Sequence, residues 1–453
     1  MKLEEIKKIY FLGLGGVGVS ALALLLKEMG KEVLGSDESR NEIIEDLRKK
    51  GIKVFVPQRA ENIPAGIDLA VYSVAVREDS PERMRIKEMG IKQMSYPELL
   101  GILIDNKYGI GVSGTNGKTT VTAMLGKILL EADLDPTIIV GSKTDYLSGN
   151  SRLGRGEYFV FESDEYRRAF SHYFPKAAIV TYIGEDHLDY YSGLEEIKSA
   201  FHDYLARVPD LLVLNADDPD SLLISSDCPA RKITFGFNEA DYTAKEIKAE
   251  NGKQTFQVWK GELLGEISLM IPGSFNASNA LAALAMASEL GVDFETVKKS
   301  LISFKGAWRR FDRLGFSGET EIIADYAHTP DSVEKMIQAA KEFFPGKKIL
   351  IVFQPHQYSR TKNLFNGFVK SFDSADKAVI SDIFFVKGRE NPENFDVSSK
   401  ILAQEIKKRG VDCVYGGNLE ETEKIIKDSA SEFSVVLVLG AGDIYETAKK
   451  LIE

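Results

Sequence analysis

Cysteine is nearly absent: Cys228 and Cys413 are the only two in 453 residues, and they lie far apart with no CxxC spacing. That excludes a disulfide framework and a cysteine metal site; it fits a reducing compartment, with both thiols as small core residues. An excess of positive charge is missing too. Fifty-seven basic residues face 68 acidic ones, a net charge of -11, which argues against a protein that works by neutralising nucleic-acid phosphates or anionic lipid. Any anionic ligand must be captured locally. The uncharged run from Ile9 to Leu26 is broken by Gly13, Gly15, Gly16 and Gly18, so it reads as a strand, a tight turn and a helix start rather than a membrane span or signal peptide. A soluble cytoplasmic protein is expected, with no membrane insertion and no nucleic-acid partner. Fixed-period repeats, low-complexity tracts and linkers rich in Pro, Gly or Ser are also lacking, so the domains are expected to share interfaces.

What is present is ordinary globular usage, 44% hydrophobic and 28% charged, and at about 150 residues per domain the length suggests three domains. Strand and helix signals alternate in three successive runs. The first opens with the strand Ile9 to Leu12, a helix to about Met29 and a strand ending at Ser36-Asp37, and continues to residue 107. The second starts at Tyr108 with the strand Gly109 to Ser113 and a helix whose apolar Val121, Met124, Leu125, Ile128, Leu129 and Ala132 mark one buried face. Its later strands are Tyr158 to Phe161, Ala177 to Ile183 and Leu211 to Leu214. The third has strands Ile322 to Tyr326, Ile349 to Phe353, Ala378 to Asp382 and Val435 to Leu439. The predicted fold is α/β in three consecutive domains, 1–107, 108–312 and 313–453: Rossmann-like, P-loop mononucleotide-binding, and Rossmann-like again.

The strongest motif is Gly114-Thr115-Asn116-Gly117-Lys118-Thr119-Thr120, between a strand and a helix. Its first glycine departs from the usual phosphate-loop position: Ser113 stands four residues before Gly117, and the glycine is at Gly114. The physics is unchanged: glycines let the backbone wrap, N–H groups and the helix N-terminus face phosphates, Lys118 reaches the β and γ oxygens, and Thr119 can hold Mg2+. Glu162 ends the next apolar strand, followed by Asp164 and Glu165, and His187 lies in Glu185-Asp186-His187-Leu188-Asp189 after another. Either group alone is as readily a solvated one; at the ends of neighbouring strands they would both face the phosphate loop. Near the N-terminus, Gly13-Leu14-Gly15-Gly16-Val17-Gly18, with Asp37 nineteen residues on, fits the dinucleotide fingerprint. That loop specifies a diphosphate at a helix N-terminus, so NAD and a nucleotide sugar both satisfy it. Asp325-Tyr326-Ala327-His328 and Gln354 to Arg360 each follow an apolar strand, where ligand-contacting groups sit. Arg309-Arg310 is either a salt-bridged junction or a phosphate clamp, and Asn276 or Asn279 a ligand contact or a helix cap.

In this order the motifs resemble the Mur ligase family, the ATP-dependent amide ligases of peptidoglycan synthesis, over essentially the whole chain. GLGGVGVSALA, Phe304-Lys305-Gly306, Arg309 to Asp312, Asp325 to Pro330, Phe353 to His356 with Arg360, and Gly440-Ala441-Gly442-Asp443-Ile444 are most similar to the branch that joins L-alanine to UDP-N-acetylmuramate. The resemblance implies a UDP-sugar on Gly13, Gly15, Gly16 and Gly18 with Asp37 and Ser73 nearby. It implies ATP on residues 114–120 with Asn276 or Asn279, Arg310, Asp325 and His328. Thr119, Glu162 and His187 become Mg2+ ligands, with Mn2+ as a substitute; Lys118, Glu162, His187 and Arg360 become catalytic groups; and Tyr326, His356 and Arg360 become the L-alanine region. A monomer or weak dimer with a hinge near residues 308–315 is implied as well. Three departures stand out: Asn116 replaces a usual His, Pro57-Gln58 replaces Gly-His, and Glu165-Tyr166-Arg167-Arg168-Ala169-Phe170 is similar to the related ligase that recycles murein tripeptide. The position of a carbamylated lysine in sister ligases falls near Phe201 or His202, so no such modification is expected. The rival readings are an NAD-dependent dehydrogenase fused to a P-loop domain and a nucleotide switch without enzymatic chemistry.

Overall fold

The computed structural model describes residues 3–147, 149–188, 190–250, 252–385, 390 and 392–452; Asp189 lies outside them. Three sheets follow one another along the chain. The first contains β1 (Lys8–Leu12), β2 (Glu32–Ser36), β3 (Lys53–Phe55), β4 (Leu69–Tyr72) and β5 (Lys92–Ser95) in the order β3-β2-β1-β4-β5. All its neighbours pair in parallel. Residues 9–12 of β1 are wholly buried, as a parallel strand covered on both faces must be. The helices of this region are α1 (Val17–Glu28), α2 (Glu42–Lys49), α3 (Pro81–Glu88) and α4 (Tyr96–Ile104). The strand order reverses beside β1, so the glycine loop after β1 and Ser73 after β4 meet at the switch point where open α/β sheets bind ligands.

The second sheet contains β6 (Tyr108–Ser113), β7 (Thr137–Thr144), β8 (Gly149–Arg152), β9 (Tyr158–Glu162), β10 (Ala177–Val180), β11 (Leu211–Asn215), β12 (Arg231–Gly236), β13 (Tyr242–Glu250), β14 (Lys253–Lys260) and β15 (Glu262–Leu269). Its order is β15-β14-β13-β12-β11-β10-β6-β9-β7-β8. β6 therefore lies between β9 and β10, parallel to both, which brings the turn after β6 between the ends of those two strands. The third sheet has β16 (Asp312–Ser317), β17 (Thr320–Asp325), β18 (Ile349–Phe353), β19 (Lys377–Ser381), β20 (Asp412–Gly417) and β21 (Val435–Leu439), ordered β16-β17-β21-β18-β19-β20. Only the β16–β17 pair in it is antiparallel. By internal contacts the chain forms two units: Met1–Lys245 with Val258–Gly265 and Ser278–Leu301, and Glu246–Gln257 with Glu266–Ala277 and Ile302–Glu453.

Several sequence expectations change. The strand read as Ala177 to Ile183 ends at Val180, because Thr181 turns its hydroxyl onto Ser113 O and Asn116 O. The helix after the phosphate loop, α5 (Lys118–Glu131), has no single buried face: residues 120–129 are all buried, while Ala132 is only half-buried. It has sheet on one side, and on the other Ser300 of the helix Phe294–Ile302 donates to Glu131 (2.7 Å). The stretch assigned to a hinge is anchored within the second unit. Arg309 donates to Gly440 O and Gly442 O at 3.0 and 2.5 Å, Phe311 N to Asp325 Oδ2 at 2.8 Å, and Tyr445 Oη to Asp312 at 3.0 Å.

Candidate active site

In the phosphate loop, Gly114 and Gly117 have φ of 125° and 88°, values that an L side chain rarely adopts. A Cβ on Gly114 would also meet the backbone of Tyr182 at 2.9 Å, and one on Gly117 would run into the Asn279 side chain. A glycine at 114 is thus demanded by the close approach of the segment that follows β10. Thr115 braces that approach rather than facing outward: its N–H donates to Tyr182 O (2.7 Å), and its hydroxyl donates to Gly184 O (3.1 Å) while accepting from Gly184 N (2.9 Å). Gly117 caps α5 without a side chain, leaving the first-turn N–H groups of the helix for an anion.

Lys118 donates to Gly114 O (2.7 Å) and forms an ion pair with both oxygens of Glu165 (2.8 Å each). Burial alone would lower its pKa, but the charges of Glu165 and Asp164 outweigh this and raise it, keeping the ammonium charged. Thr119 donates to Glu162 Oε2 (3.1 Å), and Glu162 Oε1 accepts from Gly141 N. Burial pushes the carboxyls of Glu162 and Glu165 up, opposed in both by Lys118. His187 stands apart from the Thr119–Glu162 pair in the details: its ligating atom groups with those of Asp164 and Glu165 within 4.8 Å, and its ring packs on Tyr166 at 4.6 Å. It has a φ of 53°, and Arg167 and Arg168 have 50° and 55°; such left-handed non-glycine residues concentrate at functional sites. Two oxygen donors next to a carboxylate–imidazole trio suit a hard divalent cation. The sequence had noted Asp164 and Glu165 only as followers of Glu162. Nothing in their pattern distinguishes them from solvated acids, and it is the turn at 164–170 that folds them back.

In the glycine loop after β1, Gly13 has a φ of 83°, and a Cβ there would lie 2.9 Å from Ser73 Cβ. Asp37 accepts from Gly15 N (2.8 Å), and Asn41 donates to Gly15 O (3.1 Å), so the acid braces the loop itself. Gly16 precedes α1 as its cap. Gln58 donates to Ser36 Oγ (3.2 Å) and to Glu82 (3.3 Å). Glu82 is fully buried, and it also accepts from Tyr10 Oη, Arg59 N and Asn62 Nδ2, each at 3.1 Å. This buried carboxylate, held by neutral donors, was invisible in sequence, where Ser80-Pro81-Glu82 reads as an ordinary helix start.

Asn276 and Asn279 separate clearly. Asn276 is buried and donates to Pro272 O (2.7 Å) at its own helix start, whereas Asn279 is the one against Gly117. In the second unit, Asp325 accepts from Phe311 N and Ala327 N, each at 2.8 Å, and its carboxyl is pushed up by burial against the pull of Arg310. Arg310 lies over the Tyr326 ring at 4.8 Å. Arg309 is the junction residue of the pair, surrounded by Trp308, Tyr326 and Tyr445 at 5.6, 5.5 and 5.1 Å. His328 bonds Tyr326 O through Nδ1 (2.9 Å) and lies 6.1 Å from His356, whose Nδ1 meets Arg360 at 3.0 Å. Tyr326, His328, His356 and Arg360 thus form one cluster, so His328, which the resemblance placed with ATP, stands beside the three residues it placed in the L-alanine region.

Family models match in three consecutive stretches: "Mur ligase family, catalytic domain" at residues 8–108, "Mur ligase middle domain" at 112–287 and "Mur ligase, glutamate ligase domain" at 309–442. Among curated relatives, the UDP-N-acetylmuramate–L-alanine ligase of Caldanaerobacter subterraneus subsp. tengcongensis is 39% identical, covering 100% of this chain and 98% of its own. That of Aquifex aeolicus is 39% identical over 100% and 99%. Among solved structures, a UDP-N-acetylmuramate–alanine ligase of Thermotoga maritima has a TM-score of 0.87 at 34% identity, with 98% of each chain covered. A murein peptide ligase of Psychrobacter arcticus shares the fold, with a TM-score of 0.72 at 22% identity over 98% of each chain.

Proposed function

The chain belongs to the Mur ligase family, and from that premise we propose that it joins L-alanine to the lactyl carboxylate of UDP-N-acetylmuramate, with ATP cleaved to ADP and phosphate. The observation that carries this reading is the convergence of Lys118, Thr119, Glu162, Glu165 and His187 around the phosphate loop. Full-length relatives bearing that ligase name support L-alanine as the amine. The murein peptide ligase, at 22% identity, supports only the fold. Our reading keeps the divisions at residues 107 and 312 as domain boundaries and assigns the glycine loop to the UDP-sugar.

A carboxylate does not acylate an amine at neutral pH, so the carboxylate must first be activated. The loop N–H groups and Lys118 neutralise the γ-phosphate while the lactyl carboxylate attacks it in line, giving an acyl phosphate and ADP. For this Lys118 exchanges Glu165 for phosphate oxygens, which frees the Glu165 carboxylate. Thr119 and Glu162, with His187 from its cluster with Asp164 and Glu165, would hold Mg2+, which would supply screening of the phosphate charge. Arg360, beside His356, is suited to orient the carboxylate of the amino acid, as guanidinium pairs with carboxylate in a fork. The amine then attacks the acyl carbon, and phosphate leaves.

Oxygen tracing tests the intermediate. With 18O in the lactyl carboxylate, one labelled oxygen should appear in the released phosphate. Unlabelled phosphate would contradict the activation step.

A further inference from the structure

One residue at the junction of the first and second sheets belongs to no motif. Tyr96 is the first residue of α4, and its backbone is fixed. Ser95 and Glu98 close a reciprocal cap, with Glu98 Oε2 accepting from Ser95 N and Oγ at 2.6 and 2.7 Å, and Pro97 follows. Its side chain reaches back over the glycine loop: a Cβ on Gly18 would stand 3.1 Å from both the Tyr96 hydroxyl and its ring carbon Cζ. A side chain at Gly18 would therefore crowd this phenol and push it aside by a few tenths of an ångström. The ring is partly buried against the core, yet among the described residues the hydroxyl meets no hydrogen-bond partner. An ordinary phenol titrates at about 10, so it carries its proton at any working pH. The β7–β8 hairpin links this spot to the phosphate site: Asn150 of β8 donates to Val17 O (2.8 Å), beside Gly18, and Gly141 N of β7 donates to Glu162. A rigidly held, unpartnered donor thus stands on the diphosphate loop, on the side joined by that hairpin to Glu162.

We propose that the Tyr96 hydroxyl donates a hydrogen bond to the lactyl carboxylate of the UDP-sugar, holding it toward the γ-phosphate. This rests on the ligase reading above. In that reading the sugar is tethered through its diphosphate at Gly13 to Gly18 while its carboxylate reacts beside Glu162, and Tyr96 spans that gap. A neutral donor suits the task, because it orients the attacking oxygen without neutralising it as a nearby cation would.

The test is Tyr96→Phe, which keeps the ring on Gly18 and removes only the hydroxyl. Binding of UDP-N-acetylmuramate and of UDP, which lacks the lactyl arm, is measured by calorimetry with Mg2+ and a non-hydrolysable ATP analogue. A hydrogen bond to a charged group corresponds to about a 10- to 100-fold change. The variant should lose that much affinity for the UDP-sugar and keep that for UDP, with an unchanged melting temperature and an unchanged KM for ATP. Equal weakening of both nucleotides would move the contact to the diphosphate and overturn the proposal. If the wild type prefers the UDP-sugar and the variant retains that preference in full, the Tyr96 assignment alone fails. If the wild type binds both equally, the substrate reading fails and takes this assignment with it.

Discussion

At the scale of single residues, His328 carries a pH dependence whose sign follows from its surroundings. Burial first, and then the charge of Arg360, push its pKa down to about 4 from an ordinary 6.5. The unfolded chain takes up this proton near pH 6.5, whereas the folded one holds it off until about pH 4. The contribution is therefore fully present above pH 6.5 and is lost as pH falls toward 4, at most about 3 kcal/mol at about 1.4 per unit. In thermal melts between pH 6.5 and 4.5, His328→Gln should flatten the fall in Tm relative to wild type; an equally steep fall in both would contradict this. How much of the site was legible also differs residue by residue. Lys118, Thr119 and Glu162 were readable because phosphate and cation chemistry demands those types at that spacing, and the structure joins Thr119 to Glu162 at 3.1 Å. Glu165 as the partner of Lys118 was not, since their ion pair spans 47 positions and depends on a turn with two left-handed arginines.

Among the elements, the strands beside the phosphate loop were legible and the edges of the second sheet were not. β6, β9 and β10 are short, mostly apolar runs buried over most of their length, the pattern of a central parallel strand. β13 to β15 went unread because they alternate: Lys253–Lys260 buries Gln254, Phe256 and Val258 and exposes Lys253 and Lys260, a period-2 signal diluted by charge. The β7–β8 hairpin was missed for another reason: β7 buries Thr137 to Val140 without alternation, and β8, Gly149–Arg152, is short and polar. It nonetheless clasps the glycine-loop helix at both ends: Asn150 donates to Val17 O at 2.8 Å, and Leu153 N donates to Glu28 at 2.9 Å. The segment 308–312 is the converse case, a motif legible as important whose anchoring within the second unit was not. Its Arg309 bridges two carbonyls of the turn after β21 and packs on three aromatic rings, a geometry that lysine cannot reproduce. Arg309→Lys should cost about 1–3 kcal/mol, read as a lower urea midpoint; an unchanged midpoint would show the bridge to be dispensable.

For the whole molecule, the first unit holds the glycine loop, the phosphate loop and the acids, while the second holds Asp325, His328, His356 and Arg360. A nucleotide switch would need only the phosphate loop, and a dehydrogenase only the glycine loop. Among the described residues no helix is long and apolar enough to cross a membrane. The most direct measurement is ADP release by the purified chain with Mg-ATP and UDP-N-acetylmuramate, supplied with either L-alanine or L-Ala-γ-D-Glu-diaminopimelate, with mass detection of the nucleotide-sugar product. The ligase reading predicts ADP release dependent on L-alanine and a product heavier by one alanyl residue. Product with the tripeptide alone, or ADP release indifferent to both amines, would contradict it.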